Sequence, residues 1–122
     1  MRIVTWKYFY EVGLKQIGMS PDSSFQQKDR FFRAHFGTSW EICGAIWLSL
    51  VTFWNSYEYS GEGGELVMIK PLHLLWALSF LKNYETDDKS AKFWKKAVKT
   101  YRKWTHLLLD ELEFLSIEKV RL

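Results

Sequence analysis

The sequence predicts an all-α fold: one compact helical domain of four to six helices whose C-terminal half resembles a helix-turn-helix. Three observations carry this. Apolar residues recur at steps of three and four along much of the chain, the period of a helix face. Helix-start residues stand at Thr38 and Thr86, and a helix-stop residue at Gly37. From Asp87 to Leu115 there is neither glycine nor proline. The 122 residues suit one domain, and a 48% hydrophobic, 18% aromatic composition supplies apolar bulk for one core and argues against disorder.

Residues 1–19 fit two patterns. Trp6, Phe9, Tyr10, Leu14 and Ile17 suit a helix face, whereas Ile3, Val4, Trp6, Tyr8 and Tyr10 would suit a strand; helix is preferred. Gly18 to Ser24, with Pro21 and Asp22, reads as a loop. Residues 1–24 are accordingly set apart as an N-terminal extension, and 25–122 as the helical domain. Gln26 to Phe36 is a short amphipathic helix ended by Gly37. Thr38 followed by Glu41 has the spacing of a capping box, and Ile42, Ile46, Leu50 and Phe53 then run at helical spacing, widened by Cys43, Trp47 and Trp54. This helix is apolar around much of its circumference and is expected to be the central buried element.

Asn55 to Gly64 reads as a loop, and Glu65 to Lys70 as an extended piece or the lead-in to a helix. Pro71 suits a first helical position, and the helix it opens stops near Asn83. Thr86 is an N-cap, with Asp87 and Asp88 in the first turn where the helix dipole favours anions. Beyond it, two readings compete. Ala91, Trp94, Val98, Tyr101, Leu108, Leu112 and Leu115 keep one apolar stripe in phase, which suits a single helix. A short helix, a tight turn near Lys95 to Val98 and a long helix from Lys99 suit the size of the domain better, because a helix of nearly thirty residues seldom fits so small a core.

The net charge of +3 and a pI near 9.0 are only mildly basic, so the position of the charge matters more than its sum. Lys89, Lys92, Lys95, Lys96, Lys99, Arg102 and Lys103 stand in one run without an acid, interleaved with Phe93, Trp94, Val98, Tyr101 and Trp104. A helix with one face that packs and another that meets negative charge suits nucleic-acid binding; the plainer reading is a solvated lysine face. Lys28, Arg30 and Arg33 form a smaller patch that reads as solvated surface. The six tryptophans from Trp40 to Trp104 read as core, with any exposed ones offering a surface to a protein partner.

The single cysteine, Cys43, sits in an apolar run and reads as a small buried side chain. His35, His73 and His106 lack metal-ligand spacing, so no metal, cofactor or catalytic residue is expected. The longest apolar run, Ile42 to Trp54, is shorter than a membrane span requires, and the N-terminus lacks a signal-peptide pattern. An intracellular, nuclear protein is the expectation.

Phe36-Gly37-Thr38-Ser39 with the following helix through Cys43 and Trp47, the block Lys70-Pro71-Leu72-His73-Leu74-Leu75-Trp76-Ala77-Leu78, and Lys99-Thr100-Tyr101-Arg102-Lys103-Trp104 resemble, in order and spacing, the N-terminal domain of Harbinger-like DDE transposases. The resemblance spans roughly residues 30–122. It implies a helix-turn-helix that binds duplex DNA, with a second helix from Asp87 to Trp94 and a recognition helix from Lys99. Two departures stand out. Where the family's turn usually has a glycine and an acid, this chain has Lys95-Lys96-Ala97-Val98, and the family's catalytic domain, which needs carboxylates on a mixed sheet to hold metal ions, has no counterpart here.

The expected DNA-binding residues are Lys92, Lys95, Lys96, Lys99, Thr100, Arg102, Lys103 and His106. Lys99, Arg102 and Lys103 oppose the dipole of a helix starting nearby, so helix stability does not account for them. Thr100 reads as a cap or a phosphate contact. The function expected is a non-catalytic, transposase-derived DNA-binding module. The alternative is a domesticated structural or adaptor subunit of a larger protein or ribonucleoprotein assembly.

Overall fold

A computed structural model describes residues 4–56, 69–83 and 86–120, with side chains described over 4–52, 69–83 and 86–113. Among these residues there are six helices and no strand: α1 (Trp6–Gln16), α2 (Phe25–Phe36), α3 (Trp40–Ser56), α4 (Pro71–Asn83), α5 (Asp87–Phe93) and α6 (Val98–Val120). They share one core that runs from Phe9 to Leu108.

Residues 6–16 resolve the first ambiguity in favour of helix. The Thr5 hydroxyl accepts the Lys7 N–H, and Phe9, Gly13 and Leu14 fall on one buried face. This helix, in the stretch set apart as an extension, therefore supplies Phe9 and Leu14 to the common core. Ser24 caps α2 by accepting the Gln27 N–H at 3.2 Å, and Gly37 ends it at φ 80.

Helix α3 starts one residue later than the sequence pattern suggests. Ser39, not Thr38, is the cap: its hydroxyl accepts the Ile42 N–H at 3.2 Å and its carbonyl the Cys43 N–H. Glu41 thus falls one position short of a capping box. The register buries Trp40 against Tyr10, Phe25 and Phe32, which meet its ring edge-on. The buried stripe is Cys43, Trp47 and Leu50, while Ile42 and Leu48 are exposed, so α3 is not the central element. That place belongs to α4. His73 to Ala77 are all buried, because α4 packs on α1, α2, α3 and α6. Pro71 opens α4 as expected, and the expected loop and lead-in over 57–68 lie outside the described residues.

Thr86 caps α5 by accepting the Lys89 N–H. The helix stops after Phe93, and the tight turn is present. The Lys95 N–H donates to the Lys92 carbonyl and the Lys96 N–H to the Ala91 carbonyl, with Lys95 at φ 57. This is a Schellman ending. The same bonds end α1, where Gly18 N–H meets the Lys15 carbonyl and Met19 N–H the Leu14 carbonyl, but there the left-handed residue is glycine. At Lys95 a side chain occupies a conformation that costs an L-residue roughly 1–2 kcal/mol. Neighbours hold the turn in place. The Gln16 side chain donates to the Phe93 carbonyl at 2.7 Å, His35 stacks on the Phe93 ring, and Trp94 is buried against Phe36 and Trp76.

Lys95→Gly should therefore stabilise the fold by about 0.5–1 kcal/mol, after glycine's larger entropy loss is deducted. Urea or thermal unfolding would then show a melting point higher by about 2–5 °C; a fall would mean that the left-handed turn is wrong.

Candidate nucleic-acid interface

The turn at Lys95 divides the basic run between two helices. Lys89 and Lys92 lie on α5, Lys95 and Lys96 in the turn, and Lys99, Thr100, Arg102, Lys103 and His106 on the first turns of α6. All of them are exposed. Ala91, Trp94, Tyr101, Thr105 and Leu108 point the other way, into the core. Each expected site residue therefore reaches solvent on the same stretch of the molecule.

The eight differ in what holds them. Lys92, Lys95, Lys96 and Lys99 have no ion-pair partner among the described residues. Arg102 donates through Nε to the Asp87 carboxylate at 2.9 Å, and His106 Nε2 lies 3.6 Å from the other carboxylate oxygen. Asp87 thus partly neutralises the face and fixes Arg102 while leaving its side chain exposed. Lys103 Nζ sits 4.8 Å from the centre of the Trp104 ring, a cation–π contact. Thr100 is not a cap. Ala97 occupies that position, accepting the Tyr101 N–H through its carbonyl, and its methyl group cannot satisfy the first N–H groups of α6.

Two features escape a reading of charge runs. Lys99, Lys103, His106, Asp110 and Glu113 follow one another at steps of four and three, so they share one exposed stripe of α6. Its first two turns are basic and the next is acidic, a reversal that the spacing alone could have disclosed. The second feature is His73, at the start of α4. Its Nδ1 accepts the Lys70 backbone N–H at 3.0 Å, closing that helix end as a capping-box side chain does. The ring lies parallel to Trp104, 5.1 Å between centres and 3° between planes. Burial holds its pKa down at about 4, with the charges of Lys70 and Lys96 adding to the effect.

Two of the three cations of the smaller basic patch on α2 are engaged within the chain, and Arg30 is exposed. Arg33 pairs with Asp29 at 3.0 Å, and Lys28 donates to the Tyr10 hydroxyl. Burial pushes the Cys43 thiol up to about 12, so it is no nucleophile. Among the described residues no three His, Cys, Asp or Glu side chains come together as a metal site would need, and no helix is long and apolar enough to cross a membrane. No family model, curated protein or solved structure matches the chain.

His73 makes stability depend on pH. Its folded pKa lies below that of the unfolded chain, so its contribution is complete above about pH 6.5 and is lost as pH falls towards 4. The loss should be on the order of 2 kcal/mol. His73→Gln keeps an acceptor for Lys70 but does not titrate. Urea unfolding at pH 7.5 and pH 4.5 should show a smaller pH dependence in that variant than in the parent; equal dependence would rule out His73 as its source.

Proposed function

We propose that the chain is a non-catalytic DNA-binding module that contacts duplex DNA mainly through phosphates, using the α5–turn–α6 unit. One observation carries this: the turn at Lys95 gathers Lys92, Lys95, Lys96 and Lys99, unpaired among the described residues, beside Arg102 and Lys103 on one exposed face. A short helix, a four-residue turn and a longer helix packed on α4 suit the docking of a helix-turn-helix, in which the first turns of the second helix meet the groove. The acids Asp110 and Glu113 limit contact to those turns, since they would repel phosphates further along.

The resemblance to the N-terminal domain of Harbinger-like transposases supports the same reading, and a nuclear location follows from a chromosomal DNA partner. The acids Asp87, Asp88, Asp110, Glu111 and Glu113 lie on helices, away from any arrangement that strand transfer would require. The second reading is a structural or adaptor subunit. Its support is the exposure of Phe25, Phe31, Ile42 and Leu48 on α2 and α3. The broken helix weighs for the first.

If about four cations meet phosphates, the logarithm of duplex affinity should fall against the logarithm of salt concentration with a slope of roughly −4. Fluorescence anisotropy across a salt series measures it, and an affinity that hardly changes between low and moderate salt would sink the proposal.

Asp87→Asn removes an anion from the face and releases Arg102. At low salt it should tighten duplex binding about threefold, the size expected of one exposed charge pair. Weaker binding with unchanged helicity would place the contact surface elsewhere.

A further inference from the structure

We propose that the cleft between the C-terminal half of α1, the loop that follows it and the start of α2 binds a small apolar monocarboxylate, an alkyl or aryl acid. The cleft holds about 460 Å³, within the roughly 300–1,000 Å³ of small-molecule sites. Tyr10, Leu14, Met19 and Pro21 give it an apolar lining, and its charged groups are Lys15, Lys28 and Glu11. It shares no residue with the basic face, so the proposal stands independently of the DNA reading.

The wall built by the loop is preformed. Gly18 ends α1 in a left-handed conformation, at φ 76, and the Met19 N–H then donates to the Leu14 carbonyl at 3.0 Å. The next turn is closed by the Ser23 N–H on the Ser20 carbonyl, also at 3.0 Å, and by the Asp22 N–H on the Ser20 hydroxyl at 3.2 Å. The chain's own hydrogen bonds thus hold the backbone that carries Met19 and Pro21. An apolar tail entering the cleft has no loop to order, which spares it the cost that weakens binding to a mobile segment.

The donors at the cleft select the head group. Lys28 is half-buried, and its ammonium donates to the Tyr10 hydroxyl at 2.9 Å while lying 5.5 Å from the centre of the same ring. No carboxylate pairs with it among the described residues. An ammonium has three N–H donors, so two remain. The Tyr10 oxygen accepts from Lys28, and its own O–H has no acceptor among the described residues. A hydroxyl that accepts from a cation is polarised into a better donor. Neighbouring N–H and O–H donors, their heavy atoms 2.9 Å apart, suit the two oxygens of one carboxylate, and hydrogen bonds to an ionised acceptor are about twice as strong as neutral ones. Glu11 does not cancel this charge. It also lines the adjoining cleft beside Trp6, whereas Lys15 and Lys28 line this one alone. Apolar walls return nothing for the water that a multiply charged anion would lose, so a single charge with an apolar tail fits better than phosphate.

Octanoate, octanol, butanoate and acetate test this on the full chain by calorimetry and by shifts of the Met19 methyl and Tyr10 ring signals. Octanoate should saturate the site and bind about tenfold more tightly than octanol. It should also bind about tenfold more tightly than butanoate, a factor that four half-covered methylenes supply. Lys28→Met keeps the apolar stem and should weaken octanoate about tenfold while leaving octanol unchanged. Tyr10→Phe keeps the ring and should weaken octanoate about threefold. The ligand series needs no variant and decides by itself should either substitution unfold the chain. Octanol binding as tightly as octanoate, or octanoate indifferent to both substitutions, would leave a merely apolar cleft and overturn the carboxylate. Butanoate or acetate binding as tightly as octanoate would reduce the site to surface charge and overturn the apolar tail, and no saturable shift would overturn the site.

Discussion

At Lys95 the backbone turns left-handed, and the position of every cation on the basic face depends on that turn. Its consequence is measured at Asp87. On an unbroken helix Arg102, fifteen residues on, would stand about 22 Å away along the axis, and His106 a further turn beyond. Both lie within reach of one carboxylate. The chain must therefore change direction between them, and the turn is held by packing as much as by its own hydrogen bonds. Trp94 before it and Tyr101 after it both meet Trp76 of α4, with ring centres 6.2 and 5.5 Å apart. Gln16 occupies the carbonyl that the end of α5 leaves open. Elements from both ends of the chain thus fix the same turn.

Periodicity reads out which residues are buried better than it reads out helix continuity. Ala91, Trp94, Tyr101 and Leu108 are core, as their in-phase spacing suggests. Yet the helix breaks between them, because α5 and α6 each turn their apolar side to the same core. A stripe that is continuous in sequence can therefore be two faces in space. Helix ends given by glycine, proline or threonine, at Gly37, Pro71 and Thr86, were legible because those residues act locally. The end at Lys95 was not marked in this way, since the forces that impose it come from Gln16, His35 and Trp76. The same limit explains α3. Mean hydropathy marks it as central, but burial depends on how many neighbours surround a helix, and α4 has more.

The candidate interface was legible as a list of residues and less so as an electrostatic object. Charge counted along the sequence gives an acid-free run of seven cations. Folding brings Asp87 from the start of α5 against Arg102 and places Asp110 and Glu113 on the same stripe as Lys99 and Lys103. The positive surface is thereby shorter along α6 than the run of lysines implies, and is centred on the turn. An anionic rod approaching it would meet Lys92, Lys95, Lys96 and Lys99 first, and the pairing of Arg102 with Asp87 would be part of what contact has to break.

Three departures from local preference meet within six residues. Lys95 occupies a left-handed conformation that glycine would adopt with less strain. Ala97 stands where a hydroxyl or carboxylate side chain would stabilise the start of α6. Lys99 then places a cation beside the positive end of the helix dipole, with Arg102 and Lys103 one turn on. Each costs the free fold something, and among the described residues the side chains of Lys95, Ala97 and Lys99 make no hydrogen bond or ion pair that offsets it. An anion lying across the turn would reverse the sign of two of them at once. It would neutralise the cations and could accept the uncapped N–H groups of α6. Local conflicts of this kind are expected to collect where a fold meets a ligand. Among the described residues they collect where the acid-free run of lysines also turns, and that coincidence is the physical argument on which the proposed anionic partner rests.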